Sequence, residues 1–304
     1  MIVVGSAHHV GARPPSRVNT PGDVRGYDAA TGNLLWTFHT IPEPGELGVD
    51  TWENDSWSYT GNAAVWAQMS HDPETGFVYL PTEAPTGDYY GGHRHGDNLF
   101  STSIVCLDSK TGERVWHFQT IHHDIWDWDN PSAPILADLV IDGVERKIVA
   151  LITKQGFVFV FDRLTGDPIW PIEERPVPQT DTPGEWTSPT QPFPTKPAPF
   201  DRQGFSEDDL IDFTPGIRAR AAEVASQYRM GPIYAPPSLA NHPDGTRGML
   251  SLPTSTGGSN WEGGALDPET GHLYIGSYTR ATVLALVEGG TRSDMDYSRG
   301  GGGA

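Results

Sequence analysis

A nine-residue stretch, residues 122–130, concentrates side chains that are able to do chemistry: His-His-Asp-Ile-Trp-Asp-Trp-Asp-Asn. Carboxylates crowded beside indoles lose part of their hydration, which raises their pKa and allows a general base to work near neutral pH. Perturbed acids also occur in purely structural networks, where the aromatic rings fill a core and the acids cap turns. From this stretch alone both interpretations stay open.

The composition favours an all-β protein that is rich in turns. Of the 304 residues, 35 are glycine, 27 are proline and 10 are tryptophan, while only 19% are charged. The formal net charge of −19 argues against a nucleic-acid partner, which requires a basic face. No apolar run has the length that a membrane helix needs. The single cysteine, Cys106, excludes an internal disulfide and a covalently attached haem, and its apolar neighbours predict a buried side chain.

One pattern recurs along the chain: an Asp, two or three residues, Thr-Gly, and then a second strand that often carries a tryptophan. Its physical basis is a hairpin in which the Asp side chain caps the turn and the Gly supplies a positive φ. The five copies begin at Asp28, Asp72, Asp108, Asp162 and Asp267. The first intervals, 44 and 36 residues, each suit four short strands, which is the spacing of a β-propeller blade. We therefore predict an all-β propeller with about five blade units.

The propeller prediction has two consequences. Three copies of the pattern end in Trp36, Trp116 or Trp170, and we expect each of these rings to pack between blades. A propeller must also close its ring to avoid exposed strand edges, so five units indicate a fragment of a larger propeller. The first residues, Met1–Ser6, are typical of a strand entered midway and not of a secretory leader.

The repeat pattern breaks after Trp170. We predict one partial propeller domain over residues 1–304, with residues 171–248 as an insertion between blades. The insertion begins with a proline-rich excursion and then has a capped helix start at Ser206. A second helix is predicted from Thr214-Pro215 to about Tyr228.

The repeat, the stretch from His122 to Asp127 and the Thr-Lys-x-Gly strand at residues 153–156 together resemble the quinoprotein dehydrogenases, in particular the glucose dehydrogenase-like branch. The resemblance covers essentially the whole chain. It implies an eight-bladed propeller that holds pyrroloquinoline quinone (PQQ) on its axis and oxidises a sugar, polyol or other alcohol. It also implies a divalent cation, usually calcium, against the quinone, a quinone or cytochrome as electron acceptor, and a periplasmic location.

The resemblance assigns roles residue by residue. Asp127 takes the place of the catalytic base, which accepts the hydroxyl proton of the substrate while hydride passes to the C5 carbonyl of PQQ. Lys154 matches the lysine that contacts the quinone oxygens, and Trp66 matches the tryptophan that stacks under the cofactor ring. Asn260 and Trp261 resemble the cofactor-facing loop of a later blade. Without the resemblance, Lys154 would be interpreted as a solvent-facing strand-end lysine and Trp66 as a core residue.

The metal position departs from the family pattern. The family places a metal-binding asparagine eighteen residues after the stacking tryptophan, where this chain has Ala84, so the metal ligands stay unassigned. We expect residues 122–124 to orient Asp127 and interpret the glycine-rich segment 91–98 as a loop over the mouth of the site. Residues 299–304 are interpreted as a flexible tail.

The competing hypothesis is a non-catalytic propeller that serves as a scaffold for protein interaction. Outer-membrane assembly scaffolds share this repeat without binding PQQ. Such a scaffold has no need of the set Trp66, Asp127 and Lys154, which therefore favours the enzyme. A propeller hydrolase or lectin has little support, because neither a nucleophile motif nor a repeated sugar-binding pattern is evident.

Overall fold

The computed structural model describes residues 1–7 and 11–301, which are built mainly of short strands joined by long connections. The strands are β1 (Ile2–Val4), β2 (Val24–Tyr27), β3 (Leu34–Phe38), β4 (Ser70–Asp72), β5 (Phe77–Pro81), β6 (Ser103–Asp108), β7 (Arg114–Gln119), β8 (Ile135–Ile141), β9 (Val144–Ile152), β10 (Val158–Asp162), β11 (Ile172–Pro176), β12 (Thr190–Pro194), β13 (Ser238–Leu239), β14 (Met249–Ser251), β15 (Gly264–Asp267), β16 (His272–Ile275), β17 (Thr282–Glu288) and β18 (Tyr297–Arg299). The helical elements are α1 (Pro215–Ala225) and the 3₁₀ segments Val49–Thr51, Glu53–Ser58 and Glu207–Asp209.

Within the described residues these strands form six sheets. Their strand orders are β1-β2-β3, β4-β5-β6-β7, β8-β9-β10, β11-β12, β15-β16, and β13-β17-β14 with β18 also paired to β17. Neighbouring strands are antiparallel except β13 and β17, which are parallel. The pair β11-β12 lies in the predicted insertion, so five sheets remain, as many as the predicted blade units. Among the described residues, only β4-β5-β6-β7 has the four consecutive antiparallel strands of a complete blade.

The five turn motifs, however, do not mark five blades. The Asp72 turn joins β4 to β5 and the Asp108 turn joins β6 to β7, so both belong to one sheet. The motif is a property of a tight hairpin, and a four-stranded antiparallel sheet contains more than one hairpin. The intervals of 44 and 36 residues are therefore not a blade period, and that part of the prediction is wrong.

The interblade role is confirmed for two of the three tryptophans. The Trp36 indole lies on the Asp108 turn of the following sheet, where a Cβ on Gly112 would come within 2.5 Å of it. The Trp116 indole covers Gly166 in the same way, at 2.6 Å. Both glycines have a positive φ (75° and 79°), so the turn conformation and the close approach of the ring require the same residue. Trp170 packs against the apolar cluster of the β8-β9-β10 sheet and lines the cavity between this sheet and the β15-β16 hairpin.

The predicted insertion, residues 171–248, contributes a strand to one of the blade sheets. Its strand β13 pairs with β17, which a separate insertion between blades would not require. The capped start at Ser206 is a single 3₁₀ turn with a capping box. Helix α1 begins as predicted, with the Thr214 side chain accepting from the Ile217 amide, but it ends at Ala225.

The complete blade places several long connections at one edge. Strands β5 and β7 run in the same direction, since they are separated by one antiparallel strand, so the connections 82–102 and 120–134 leave from the same edge. The connection 59–69 enters β4 at that edge as well, because Ser70 pairs with Tyr79 near the end of β5.

Candidate active site

Asp127 and Lys154 are in direct contact. The Lys154 ammonium donates to the backbone carbonyl of Asp127 at 2.8 Å and to its Oδ1 at 3.3 Å. It also donates to Oδ2 of Asp129 at 2.9 Å. Burial alone would lower the pKa of Lys154, but the two carboxylates raise it above its ordinary value, so the side chain stays an ammonium. The prediction that these distant residues share a site agrees with this geometry.

Two buried tryptophans fix the backbone of Asp127. Trp126 and Trp128 stack on each other with ring centroids 5.6 Å apart, and both are almost completely buried. Their backbone amides donate to the two carboxylate oxygens of Asp124, at 2.8 and 3.2 Å. Asp127 lies between them at φ 61°, a left-handed conformation that a non-glycine residue holds only where its surroundings enforce it. Asp124 therefore shapes the loop, in keeping with its expected orienting role.

The Asp127 carboxyl combines burial with access. Its side chain is 27% exposed. Burial raises the pKa of Asp127 to about 6, against the opposing charge of Lys154 and with a further increase from Asp129. A carboxyl group with a pKa near 6 is ionised at neutral pH and basic enough to accept a proton.

Two more acids lie near this pair. Burial raises the pKa of Glu83 well above its usual value, and the Asp129 charge raises it further. Burial likewise raises the pKa of Asp88, and the Asp127 charge adds to the shift. The site thus gathers four carboxyl groups around the ammonium of Lys154, and a bound cation would favour the ionised forms that burial disfavours.

A short chain of hydrogen bonds links the Trp66 segment to the acids. The Ala64 amide donates to Oε1 of Glu83 at 3.2 Å, and the Ala84 amide donates to Oδ1 of Asp129 at 2.9 Å. The Trp66 indole is partly exposed and belongs to none of the apolar clusters of the described residues. These features fit a ring that is free to stack on a ligand better than a core residue.

The glycine pair before Asn260 lies directly on Lys154. The Gly258 amide donates to the Lys154 carbonyl at 2.9 Å, and a Cβ on Gly257 would come within 2.7 Å of Lys154 Cα. Asn260 itself donates to the Thr256 carbonyl, and the Trp261 ring is 63% exposed. The loop therefore borders the site, while direct contact of these two side chains with a cofactor stays a prediction.

Within the described residues, no three His, Cys, Asp or Glu side chains are grouped closely enough to hold a metal ion by themselves. The large apolar cavity of about 770 Å³ lies elsewhere, between the β8-β9-β10 sheet and the β15-β16 hairpin. A cation at the acidic cluster would therefore need oxygen atoms from a cofactor or from water.

The family is established by comparison with known proteins. The sequence model of the PQQ glucose/ethanol/alcohol dehydrogenase β-propeller domain matches residues 1–303. The chain belongs to this PQQ β-propeller family. The quinate/shikimate dehydrogenase (quinone) of Acinetobacter baylyi is 32% identical over 99% of this chain and 36% of the relative. The quinoprotein glucose dehydrogenase of Escherichia coli is 32% identical over 92% of the chain and 34% of the relative.

A solved structure supports the propeller architecture. The quinohemoprotein alcohol dehydrogenase of Pseudomonas putida HK5 superimposes with a TM-score of 0.64 at 26% identity, covering 97% of this chain and 38% of the other. This PQQ-family chain therefore spans a little over a third of the length of such relatives. In the described part of the chain, no helix is long and apolar enough to cross a bilayer.

Segment 91–98, interpreted from the sequence as a loop over the site mouth, is anchored by Arg94. Arg94 is completely buried and donates to the carbonyls of Gly87 and Asp124, among others. Its neighbour His123 is also buried and contacts Glu185 of the proline-rich excursion, with Nε2 3.1 Å from Oε1. A fully desolvated guanidinium needs carbonyl and amide acceptors, which this segment and the Asp124 loop supply, and its place over the mouth stays a prediction.

Two residues that contact the site were not found from the sequence. The Tyr89 hydroxyl donates to Oδ2 of Asp127 at 2.8 Å, and Arg299 donates to that hydroxyl at 3.0 Å. Arg299 is the last residue of β18, so the tail interpretation is wrong at this residue, and residues 302–304 lie outside the described part of the chain. The pair Asp88-Tyr89 was a weak signal, an aromatic hydroxyl beside an acid in a long connection.

Proposed function

We propose that the chain is part of a PQQ-dependent dehydrogenase that oxidises the CH–OH group of a sugar, polyol or other alcohol. The observation that carries the proposal is the direct contact between the accessible Asp127 carboxyl and the buried Lys154 ammonium, in a chain of the PQQ family. The electrons would pass to a quinone or a cytochrome, and the enzyme would work in the periplasm, as the resemblance implies.

The residues of the site fit a flat, anionic quinone together with a cation. PQQ supplies an electrophilic carbonyl carbon that accepts hydride. Lys154 offers an ammonium for the quinone oxygens, and Trp66 offers a partly exposed ring for stacking. Burial raises the pKa of Glu83 and Asp88, and a divalent cation such as calcium, bound with the cofactor, would favour their ionised forms and offset their repulsion of an anionic quinone.

In the reaction, residues of this chain perform three tasks. Oδ1 or Oδ2 of Asp127 accepts the hydroxyl proton of the substrate, which leaves an alkoxide-like oxygen that favours hydride departure. Lys154 keeps Asp127 ionised before the reaction, because its positive charge opposes protonation of the carboxylate. The Asp124 cap and the two stacked indoles hold the Asp127 backbone in place, so the base does not have to be ordered during the reaction.

Reconstitution of the complete gene product tests the proposal. The apoprotein would be mixed with PQQ and Ca²⁺, and reduction of an artificial dye would be followed with a panel of sugars, polyols and primary alcohols. Substrate-dependent dye reduction and a bound-quinone absorbance are expected. A protein that shows no bound-quinone spectrum under these conditions would be a scaffold, and the proposed function would be wrong.

The rate of the reconstituted enzyme should depend on pH through Asp127. The base must be ionised, and its pKa is raised to about 6, so kcat/KM should rise as the pH increases through about 6 and then level off. Circular dichroism over the same pH range would separate this effect from loss of fold. A kcat/KM that is constant between pH 5 and pH 8 (a range of roughly one to two units around that pKa) would exclude a base with this pKa.

A further inference from the structure

The carboxylate of Asp127 is held by a donor on each oxygen. Lys154 donates to Oδ1 at 3.3 Å, and the Tyr89 hydroxyl donates to Oδ2 at 2.8 Å. Behind Tyr89, the Arg299 guanidinium donates to the same hydroxyl oxygen at 3.0 Å and lies 4.9 Å from the centre of the ring. These four side chains form one continuous line of contacts, from Arg299 through Tyr89 and the candidate base Asp127 to Lys154.

The direction of the hydrogen bond between Tyr89 and Asp127 is fixed by Arg299. A guanidinium has only donors and an ionised carboxylate has only acceptors, so the hydroxyl oxygen accepts from Arg299 and its proton is donated to Asp127. The positive charge over the ring and at the oxygen also strengthens the hydroxyl as a donor. Tyr89 is buried, and burial raises its pKa, so the hydroxyl keeps its proton throughout the working range of pH.

Arg299 is itself anchored by the fold. Its amide donates to the Ala12 carbonyl at 3.1 Å, and its own carbonyl accepts from Nε of Arg13 at 2.8 Å. It pairs with Leu286 of β17. Because Arg299 is held at both its backbone amide and its carbonyl, it supports Tyr89 rigidly. This support comes from β18, which is far from Tyr89 in the chain.

We propose that Tyr89, held by Arg299, is the positioning residue that sets the orientation of the Asp127 carboxylate toward the substrate. The inference rests on the proposed function, in which Asp127 is the base. With Tyr89 on Oδ2 and Lys154 on Oδ1, the plane of the carboxylate cannot rotate freely about its Cβ–Cγ bond. The lone pair that faces the substrate is then set before the substrate binds, which is the condition for efficient proton transfer.

The test is Tyr89→Phe in the complete gene product, reconstituted with PQQ and Ca²⁺. Loss of the hydroxyl should lower kcat about 10- to 100-fold because the base is misplaced, with little change in KM for the substrate. A crystal structure of the variant should show the Asp127 carboxylate rotated or in two orientations. This structural measurement does not depend on turnover.

Two further variants make the test specific. Tyr79→Phe is a matched control, since Tyr79 is also buried but its hydroxyl donates to the Arg163 carbonyl at 2.9 Å, between the β4-β5-β6-β7 and β8-β9-β10 sheets. It should lower stability like Tyr89→Phe and leave kcat unchanged. Arg299→Lys keeps a donor for the hydroxyl and should retain more activity than Arg299→Met, which removes the donor.

The outcomes distinguish this inference from the proposed function. Wild-type kcat with an unchanged Asp127 orientation in Tyr89→Phe would overturn the inference, and so would equal losses of kcat in Tyr89→Phe and Tyr79→Phe. If Tyr89→Phe does not fold, equal kcat values in Arg299→Met and Arg299→Lys would overturn it. Normal turnover of an Asp127→Asn variant would instead remove the base itself.

Discussion

Asp127→Asn in the complete gene product is expected to lower kcat for every alcohol substrate by about 10²- to 10⁴-fold, the contribution of a positioned general base. The asparagine amide has nearly the same shape as the carboxylate but cannot accept the substrate proton. Its amide oxygen can still accept a hydrogen bond from Lys154, while its NH₂ group replaces the oxygen that accepts from Tyr89, so the change should be confined to that contact. PQQ affinity, measured by titration of the bound-quinone absorbance, should change only slightly.

A second buried carboxylate provides the control for this experiment. Asp72 lies in the complete blade and forms an ion pair with Arg163 at 2.9 Å, far from the candidate site in the fold. Asp72→Asn should lower stability and leave kcat of the folded enzyme unchanged. Near-normal turnover in Asp127→Asn would show that Asp127 does not act as the base.

Local features of the fold could be predicted from the sequence because they depend on neighbouring residues. The Asp108 turn is an example: its carboxylate accepts from the Lys110 amide at 2.8 Å, and Gly112 has φ 75°, as the motif requires. The Thr214 cap of helix α1 has the same local origin. The grouping of hairpins into sheets is not local, which is why the Asp72 and Asp108 turns were wrongly assigned to separate blades.

The residues of the candidate site fall into the same two groups, those that the sequence could indicate and those that depend on distant contacts. Asp127 and Lys154 were selected by resemblance to a family, and the structure brings their charged groups within 3.3 Å of each other. Tyr89 and Arg299 belong to no motif, and their hydrogen bond joins residues 210 positions apart in the chain. A contact of this kind depends on how β17 and β18 pack against the connection 82–102, and no spacing in the sequence records it.

Glu185→Ala should cause the largest loss of stability, because it removes a buried carboxylate that holds two neighbouring groups. The Glu185 side chain is 1% exposed, and its carboxylate accepts from the Gly91 amide at 2.6 Å and contacts Nε2 of His123 at 3.1 Å. Burial opposes its ionisation, but the His123 and Gly91 contacts keep the pKa of Glu185 below its usual value. Burial lowers the pKa of His123, which disfavours its charged form. Loss of the carboxylate leaves both buried partners without their acceptor, at about 1–3 kcal/mol each.

The hydrogen bonds of His123 indicate which substitution of Glu185 should be tolerated. Nδ1 of His123 faces the Gly96 carbonyl at 2.9 Å and must carry a proton, so one further proton lies between Nε2 and Glu185. A glutamine can still accept from Gly91 and donate to the Nε2 lone pair of a neutral His123, so Glu185→Gln should lose much less stability than Glu185→Ala. The neighbouring pair His122 and Glu174, at 3.2 Å with the glutamate 49% exposed, is the surface control. Glu174→Ala should cost about 1 kcal/mol or less.

The measurement is equilibrium unfolding in urea of the three variants and the parent protein, compared at equal slope m. The expected order of midpoints is parent and Glu174→Ala highest, Glu185→Gln next and Glu185→Ala lowest. Equal midpoints for Glu185→Ala and Glu174→Ala would mean that the excursion of residues 171–204 does not support the His123 loop. Because that loop leads into Asp127 through Asp124, the same order in kcat would indicate that the excursion also stabilises the catalytic geometry.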